Sequence, residues 1–176
     1  MRRKTVLGLT GSIGMGKSTV ARMFARQGAA HFDADEVVRQ LLRSDKKIMA
    51  FFKKNYPEVF HAGRISRKRL GALIFANTKA QKKCEEALHK AVIKEAKNFI
   101  QKERRRTVLL DVPLLFESGM DKLCDITVCV SANGTAQKKR VMARRRISEK
   151  QFKAILKRQM SDAAKRKHAD IVFKTD

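Results

Sequence analysis

One eight-residue motif decides most of what this chain can fold into. Gly11-Ser12-Ile13-Gly14-Met15-Gly16-Lys17-Ser18 fits G-x-x-x-x-G-K-[ST] without a mismatch. Before it, Val6, Leu7 and Leu9 predict a short buried strand that stops at Thr10-Gly11. After it, Val20, Ala21, Phe24 and Ala25 recur at helical spacing until Gly28, a natural C-terminal stop. From average residue usage a chance match arises about once per hundred chains of this length, before the flanking strand and helix are required. Glycines let such a loop curl so that successive backbone N–H groups point inward at phosphate oxygens, and the helix adds its partial positive end. Lys17 then reaches the β- and γ-phosphates and the Ser18 hydroxyl ligates Mg²⁺. The motif implies a nucleoside triphosphate but names no reaction.

The rest of the chain alternates in period. Ala29 to Phe32 predict a second strand, and Asp33-Ala34-Asp35-Glu36 place acids in the first turn of a helix through Leu42. A short helix from Lys46 to Tyr56 is closed by Pro57, Gly63 marks a turn, and Ser66 caps a helix through Phe75. From Thr78 to Arg105 a single apolar stripe (Cys84, Ala87, Leu88, Ala91, Val92, Ala96, Phe99, Ile100) predicts the longest helix. Thr107 to Val112, Ile126 to Val130 and Ile171 to Phe173 read as strands, with helices over Gly134 to Arg145 and Ser148 to Met160. This alternation implies an α/β fold, a parallel five-stranded sheet flanked by helices. The helical stretch of about 43–105 interrupts it as an inserted subdomain, leaving a core of about 1–42, 106–133 and 168–176 in a single domain.

Charge narrows the partners without choosing one. Lys and Arg number 41 against 17 Asp and Glu, a formal charge of +24, which suits nucleic acid, anionic membrane or small phosphorylated metabolites. Between Gly134 and His168 thirteen basic residues face only Glu149 and Asp162, so most of them form a solvated face. The 43% hydrophobic share excludes a disordered chain. No apolar run approaches the roughly 18 residues of a membrane span, and Met1 to Lys4 lead directly into a strand, so neither a signal peptide nor a membrane helix is expected. Cys84, Cys124 and Cys129 match neither C-x-x-C nor a zinc set. They read as buried free thiols of a reduced, cytoplasmic protein.

The guanine-specifying N-K-x-D, the switch D-x-x-G and the transporter L-S-G-G-Q are all missing, which leaves a small-molecule kinase. Such an enzyme needs a group to accept the proton of the attacking hydroxyl. Asp33, at the carboxyl end of the second strand, stands where that group belongs; the alternative is that it caps the next helix. Asp111 ends the third strand and resembles the carboxylate that orients Mg²⁺. Asp35 points elsewhere, His31 reads as a core histidine, and His61 and His168 lie in polar surroundings.

Several blocks in order resemble the dephospho-CoA kinase family: Gly8 to Ser18, Asp33-Ala34-Asp35, and Gly63-Arg64-Ile65-Ser66-Arg67 with Leu70-Gly71 and Ile74-Phe75. The likeness continues through Leu88-His89, Val112-Pro113-Leu114-Leu115-Phe116-Glu117, Gln137 to Arg140, Arg144 and Gln159-Met160, and covers essentially the whole chain. The resemblance implies a P-loop kinase fold with a helical CoA-binding insertion and a mobile basic lid of about 134–167. It also implies transfer of the ATP γ-phosphate to the ribose 3′-hydroxyl of dephospho-CoA, the last step of coenzyme A synthesis. Carried residue by residue, Asp33 is the base, with Lys17 and Arg140 catalytic beside it. Gly11, Ser12, Ile13, Gly14, Met15, Gly16, Lys17, Ser18, Thr19 and the lid residue Arg144 bind ATP, while Ser18 and Asp111 attend Mg²⁺. Asp33, Arg64, Arg67, His89, Leu114, Leu115 and Glu117 bind the acceptor. The expected partners are therefore ATP and dephospho-CoA, with no membrane and no specific nucleic acid despite the charge.

Lys90 replaces a usual proline, Arg145 a usual acid, and the chain ends at Lys174-Thr175-Asp176 where the family continues into a helix. Two competing readings are another nucleotide kinase of the same fold and a basic RNA-associated P-loop protein. The second lacks aromatic support, with no Trp and one Tyr.

Overall fold

In chain order the elements are β1 (Thr5–Thr10), α1 (Lys17–Arg26), β2 (Ala30–Asp33), α2 (Ala34–Ser44), α3 (Lys46–Asn55), β3 (Phe60–His61), β4 (Arg64–Ile65), α4 (Arg67–Ala76) and α5 (Thr78–Lys102). Then follow β5 (Thr107–Asp111), β6 (Ile126–Ser131), α6 (Gly134–Ala143), α7 (Glu149–Lys157), α8 (Asp162–His168) and β7 (Ile171–Lys174). The computed structural model describes residues 4–143, 148–157 and 159–176. They divide into two units, one made of the chain up to Asp33 and from Phe99 onward, the other of Ala34–Asn98.

The first unit is a parallel sheet in the order β2-β5-β1-β6-β7. Strands of this kind are buried on both faces and therefore read as apolar runs rather than alternations. Val108, Leu109, Leu110, Val130 and Cys129 are accordingly fully buried. On one face α1 lays Val20 and Ala21 against Leu9, Leu109, Val128 and Val130, with Leu7 and Phe24 at the margin. Register brings the strand ends level: Asp33 pairs with Asp111 across β2 and β5, and Leu9 pairs with Asp111 across β1 and β5. At the other edge, Asp170 accepts hydrogen bonds from the backbone N and Oγ1 of Thr127, both at 2.7 Å, and so starts β7 alongside β6.

The second unit is helical around a two-stranded antiparallel hairpin of β3 and β4. Asp45 caps α3 by accepting from the Ile48 N–H at 2.8 Å, and Ser66 caps α4 by accepting from Arg69. Phe52 and Val59 are fully buried, and Phe52 stacks edge-on with Phe51. The sequence pattern missed the hairpin because each strand is two residues long, too short for any period to register. It missed α8 as well, whose run Lys165-Arg166-Lys167-His168 disguises a helix as a charged linker.

Candidate active site

Gly11 to Gly16 connect β1 to α1 through a loop whose geometry needs glycine. A Cβ on Gly11 would lie 2.6 Å from the Val130 carbonyl oxygen. Gly14, at φ +80°, has Val141 and the Gln137 backbone where a side chain would go. The loop is pinned from α6, where Gln137 Nε2 donates to the Ile13 carbonyl at 2.8 Å, and from just after β6, where the Ala132 N–H donates to Met15 Sδ at 3.1 Å. Helix α1 starts at Gly16 without a side-chain cap and without an acid in its first turn, whereas Asp45, Ser66 and Ser161 cap α3, α4 and α8. An uncapped helix start that follows a curled glycine loop presents its amides and its dipole to an anion.

Lys17 extends from the first turn of α1 and forms an ion pair with Oδ1 of Asp111. The other carboxylate oxygen lies 3.3 Å from Nε2 of His31, so Asp111, only 7% exposed along its side chain, joins the elements that carry Lys17 and His31. His31 is thus not the core histidine its strand position suggests. Its ring is about a third exposed and reaches the strand end rather than the interior. Asp33 lies beside Asp111 at the end of the neighbouring strand, partly buried, where β2 hands over to α2. Two carboxylates, a lysine and an anion-binding loop therefore share the carboxyl edge of one sheet.

Ser18 and Thr19 follow Lys17 on the exposed side of α1. Among the described residues no group of three or more His, Cys, Asp and Glu side chains is placed to hold a metal by itself.

The turn after β5 separates residues that adjacency in sequence had grouped. Leu114 is 41% exposed, but Leu115 is fully buried and packs beside Gly8, so its side chain offers no surface to a ligand. Glu117, an exposed residue, pairs its carboxylate with the buried Lys165 at 2.9 Å. Arg140, on α6, donates to Oγ1 of Thr175 at 3.0 Å and to the Thr175 carbonyl. Thr175 Oγ1 in turn donates to the Met15 carbonyl at 2.8 Å, so the last residues of the chain touch the phosphate loop. Arg144 lies outside the described residues. Arg64, on β4, and Arg67, opening α4, are exposed in the second unit. His89, on α5, keeps a buried Nε2 with no hydrogen-bond partner among the described residues.

Lys165 and Thr175 went unnoticed in the sequence. Lys165 is one of three consecutive basic residues, and nothing in the local pattern marks it as the buried one; Thr175 acts through long-range contacts that no local pattern carries. The cysteines are free, Cys84 and Cys129 buried and Cys124 half-buried. Burial, reinforced by Asp121 and Asp125, pushes the Cys124 thiol up to about 12. Burial, with Asp162 next, pushes Cys129 up to about 11, leaving both protonated and inert at neutral pH. No described helix is long and apolar enough to cross a membrane.

Comparison with known proteins gives a consistent picture. The family model described as dephospho-CoA kinase matches residues 5–176. A dephospho-CoA kinase of Zymomonas mobilis is 38% identical over 169 residues, covering 96% of this chain and 86% of the relative. A crystal structure from Thermus thermophilus superposes with a TM-score of 0.88 at 31% identity, covering 99% of this chain and 90% of that one. A dephospho-CoA kinase from Campylobacter jejuni superposes with a TM-score of 0.68 at 27% identity, covering 98% and 88% respectively.

Proposed function

This chain belongs to the dephospho-CoA kinase family, P-loop kinases that transfer the ATP γ-phosphate to the ribose 3′-hydroxyl of dephospho-CoA, and from that premise we propose how its own residues divide the work. The loop amides of Gly11 to Gly16 and the start of α1 hold the phosphates of ATP, and Lys17 leaves Asp111 to neutralise the oxygens between which the bond breaks. Phosphoryl transfer asks mainly for positioning and charge stabilisation, since its transition state spreads negative charge over three equatorial oxygens. Ser18 and Asp111 would hold the Mg²⁺ that accompanies ATP, and the ion would supply further charge neutralisation. Asp33 faces the acceptor hydroxyl and takes its proton as the new P–O bond forms.

Arg140 exchanges Thr175 for nucleotide phosphate, and Arg144 assists from the lid of about 134–167. Arg64, Arg67 and His89 of the helical unit bind dephospho-CoA, as does Leu114, exposed in the turn after β5; the His89 nitrogen without a partner among the described residues is the observation that favours this role. The three free thiols suit a reducing compartment, and we place the reaction in the cytoplasm.

The observation that carries the reading is the level pairing of Asp33 with Asp111, next to Lys17 and the phosphate loop. The test is ADP release from Mg²⁺-ATP with and without dephospho-CoA, with CoA identified by mass. Matched, acceptor-dependent ADP and CoA are expected. Turnover with nucleoside monophosphates and none with dephospho-CoA would reject the acceptor.

A further inference from the structure

Among the described residues Lys165 is the one charged side chain that is fully buried, and none of the steps above uses it. Its ammonium has three N–H groups and three acceptors: the Pro113 carbonyl at 2.7 Å, Glu117 at 2.9 Å and Thr10 Oγ1 at 3.4 Å. Thr10 Oγ1 itself donates to the Pro113 carbonyl at 3.0 Å, and Glu117 Oε1 also accepts from the Met160 N–H at 2.8 Å. The partners come from separate stretches of chain, Pro113 and Glu117 from one turn and Thr10 and Met160 from two others. Thr10 is the residue before Gly11, Pro113 follows Asp111 by two positions, and Met160 belongs to the segment between α7 and α8.

We infer that Lys165 and Glu117 are a positioning pair for phosphoryl transfer. The buried ammonium ties the entry of the phosphate loop to the turn after Asp111, and Glu117 serves that tie rather than the acceptor. The inference rests on the kinase reading. Stability alone does not account for the pair, because taking the Lys165 ammonium fully out of water is costly, and ion pairs that bury a charge are rarely more stabilising than well-packed apolar side chains in their place. Directed donors, however, fix the relative position of two segments in a way that an apolar contact does not. Lys17 approaches from one of those segments and Asp111 ends the other, and displacements of about 1 Å in such a constellation lower rates about 100-fold.

The test compares wild type with Glu117→Gln and with the neutral pair Lys165→Met/Glu117→Met, which avoids leaving one charge buried alone. kcat and KM are measured for ATP and dephospho-CoA, with amide hydrogen exchange at residues 11–16 and 113–118. In both variants kcat falls about tenfold to 100-fold while both KM values stay within about threefold. Exchange in the two segments rises about tenfold in the neutral pair, with β1 and β5 still protected. Wild-type kcat in the neutral pair, or wild-type exchange in the two segments, overturns the inference. So does a tenfold rise in KM for dephospho-CoA at unchanged kcat in Glu117→Gln, which makes Glu117 an acceptor ligand. If the neutral pair does not fold, Glu117→Gln carries the same readouts. Absence of wild-type turnover counts against the kinase reading, and the exchange measurement then decides the pair by itself.

Discussion

Asp111 illustrates how one side chain holds a constellation together before any substrate enters. Its carboxylate neutralises Lys17 and touches His31, so the lysine is kept extended toward the sheet edge rather than wandering in solvent. Removing Lys17 and removing the Asp33 carboxylate are expected to differ in kind. Lys17→Ala weakens ATP binding and lowers kcat by at least about 100-fold, because the charge on the transferring oxygens loses its partner. Asp33→Asn leaves ATP affinity within about threefold and lowers kcat by about 100-fold or more. Nucleotide titration alongside steady-state kinetics separates the two, and an Asp33→Asn turnover near wild type removes Asp33 from the role of base.

The cysteines give a second prediction at this scale. Unfolded thiols ionise near pH 8.5, whereas folded Cys129 and Cys124 ionise at about 11 and about 12. Their contribution to stability is therefore complete below about pH 8.5 and is lost as pH rises toward 11. Tm is expected to hold from pH 7 to 8 and fall above 9, and Cys124→Ala/Cys129→Ala flattens that alkaline limb. Equal alkaline limbs in the two proteins would remove the thiols as its cause.

Elements in this fold are joined by side chains from outside their own hydrogen-bond ladder. β7 lies at the sheet edge with Ile171, Val172 and Phe173 all exposed, so burial contributes little to keeping it there. Asp170 supplies the missing restraint through Thr127. The Thr127 hydroxyl, and then its backbone N–H, hold that carboxyl below the usual carboxylate range. The sign follows from linkage: the stabilisation is present above about pH 4 and disappears as pH falls through the lowered folded value. Asp170→Asn is expected to lower Tm at pH 7 and to make the acid limb below pH 4 shallower than in wild type. A parallel acid limb would show that other carboxyls govern it. Because Thr175 follows β7 and contacts both Arg140 and Met15, loosening β7 is also expected to raise KM for ATP.

For the whole molecule, the excess charge matters through its field rather than through any single contact. A chain carrying +24 that takes two polyanionic substrates attracts them over a distance set by ionic strength. kcat/KM for ATP is expected to fall several-fold between about 50 and 300 mM salt, with kcat unchanged. An equal fall in kcat would place the effect in the chemistry or in a later step of turnover instead.

What the sequence by itself determined is local. The strand, glycine loop and helix around Lys17, the alternation of strands and helices that makes a parallel five-stranded sheet, and the positions of Asp33 and Asp111 at strand ends all follow from short apolar runs, helical spacing near four and residues with restricted backbones. Tertiary structure alone decided strand order, and with it the adjacency of Asp33 and Asp111, since register between strands 78 residues apart leaves no mark on either one. It also decided which members of similar neighbours face inward. Leu115 and Leu114 look alike in sequence, as do Lys165 and Lys167, yet only one of each pair is buried. A side chain's surroundings are made by segments that sequence separates, so composition and spacing name the chemistry available while packing chooses the atoms that perform it.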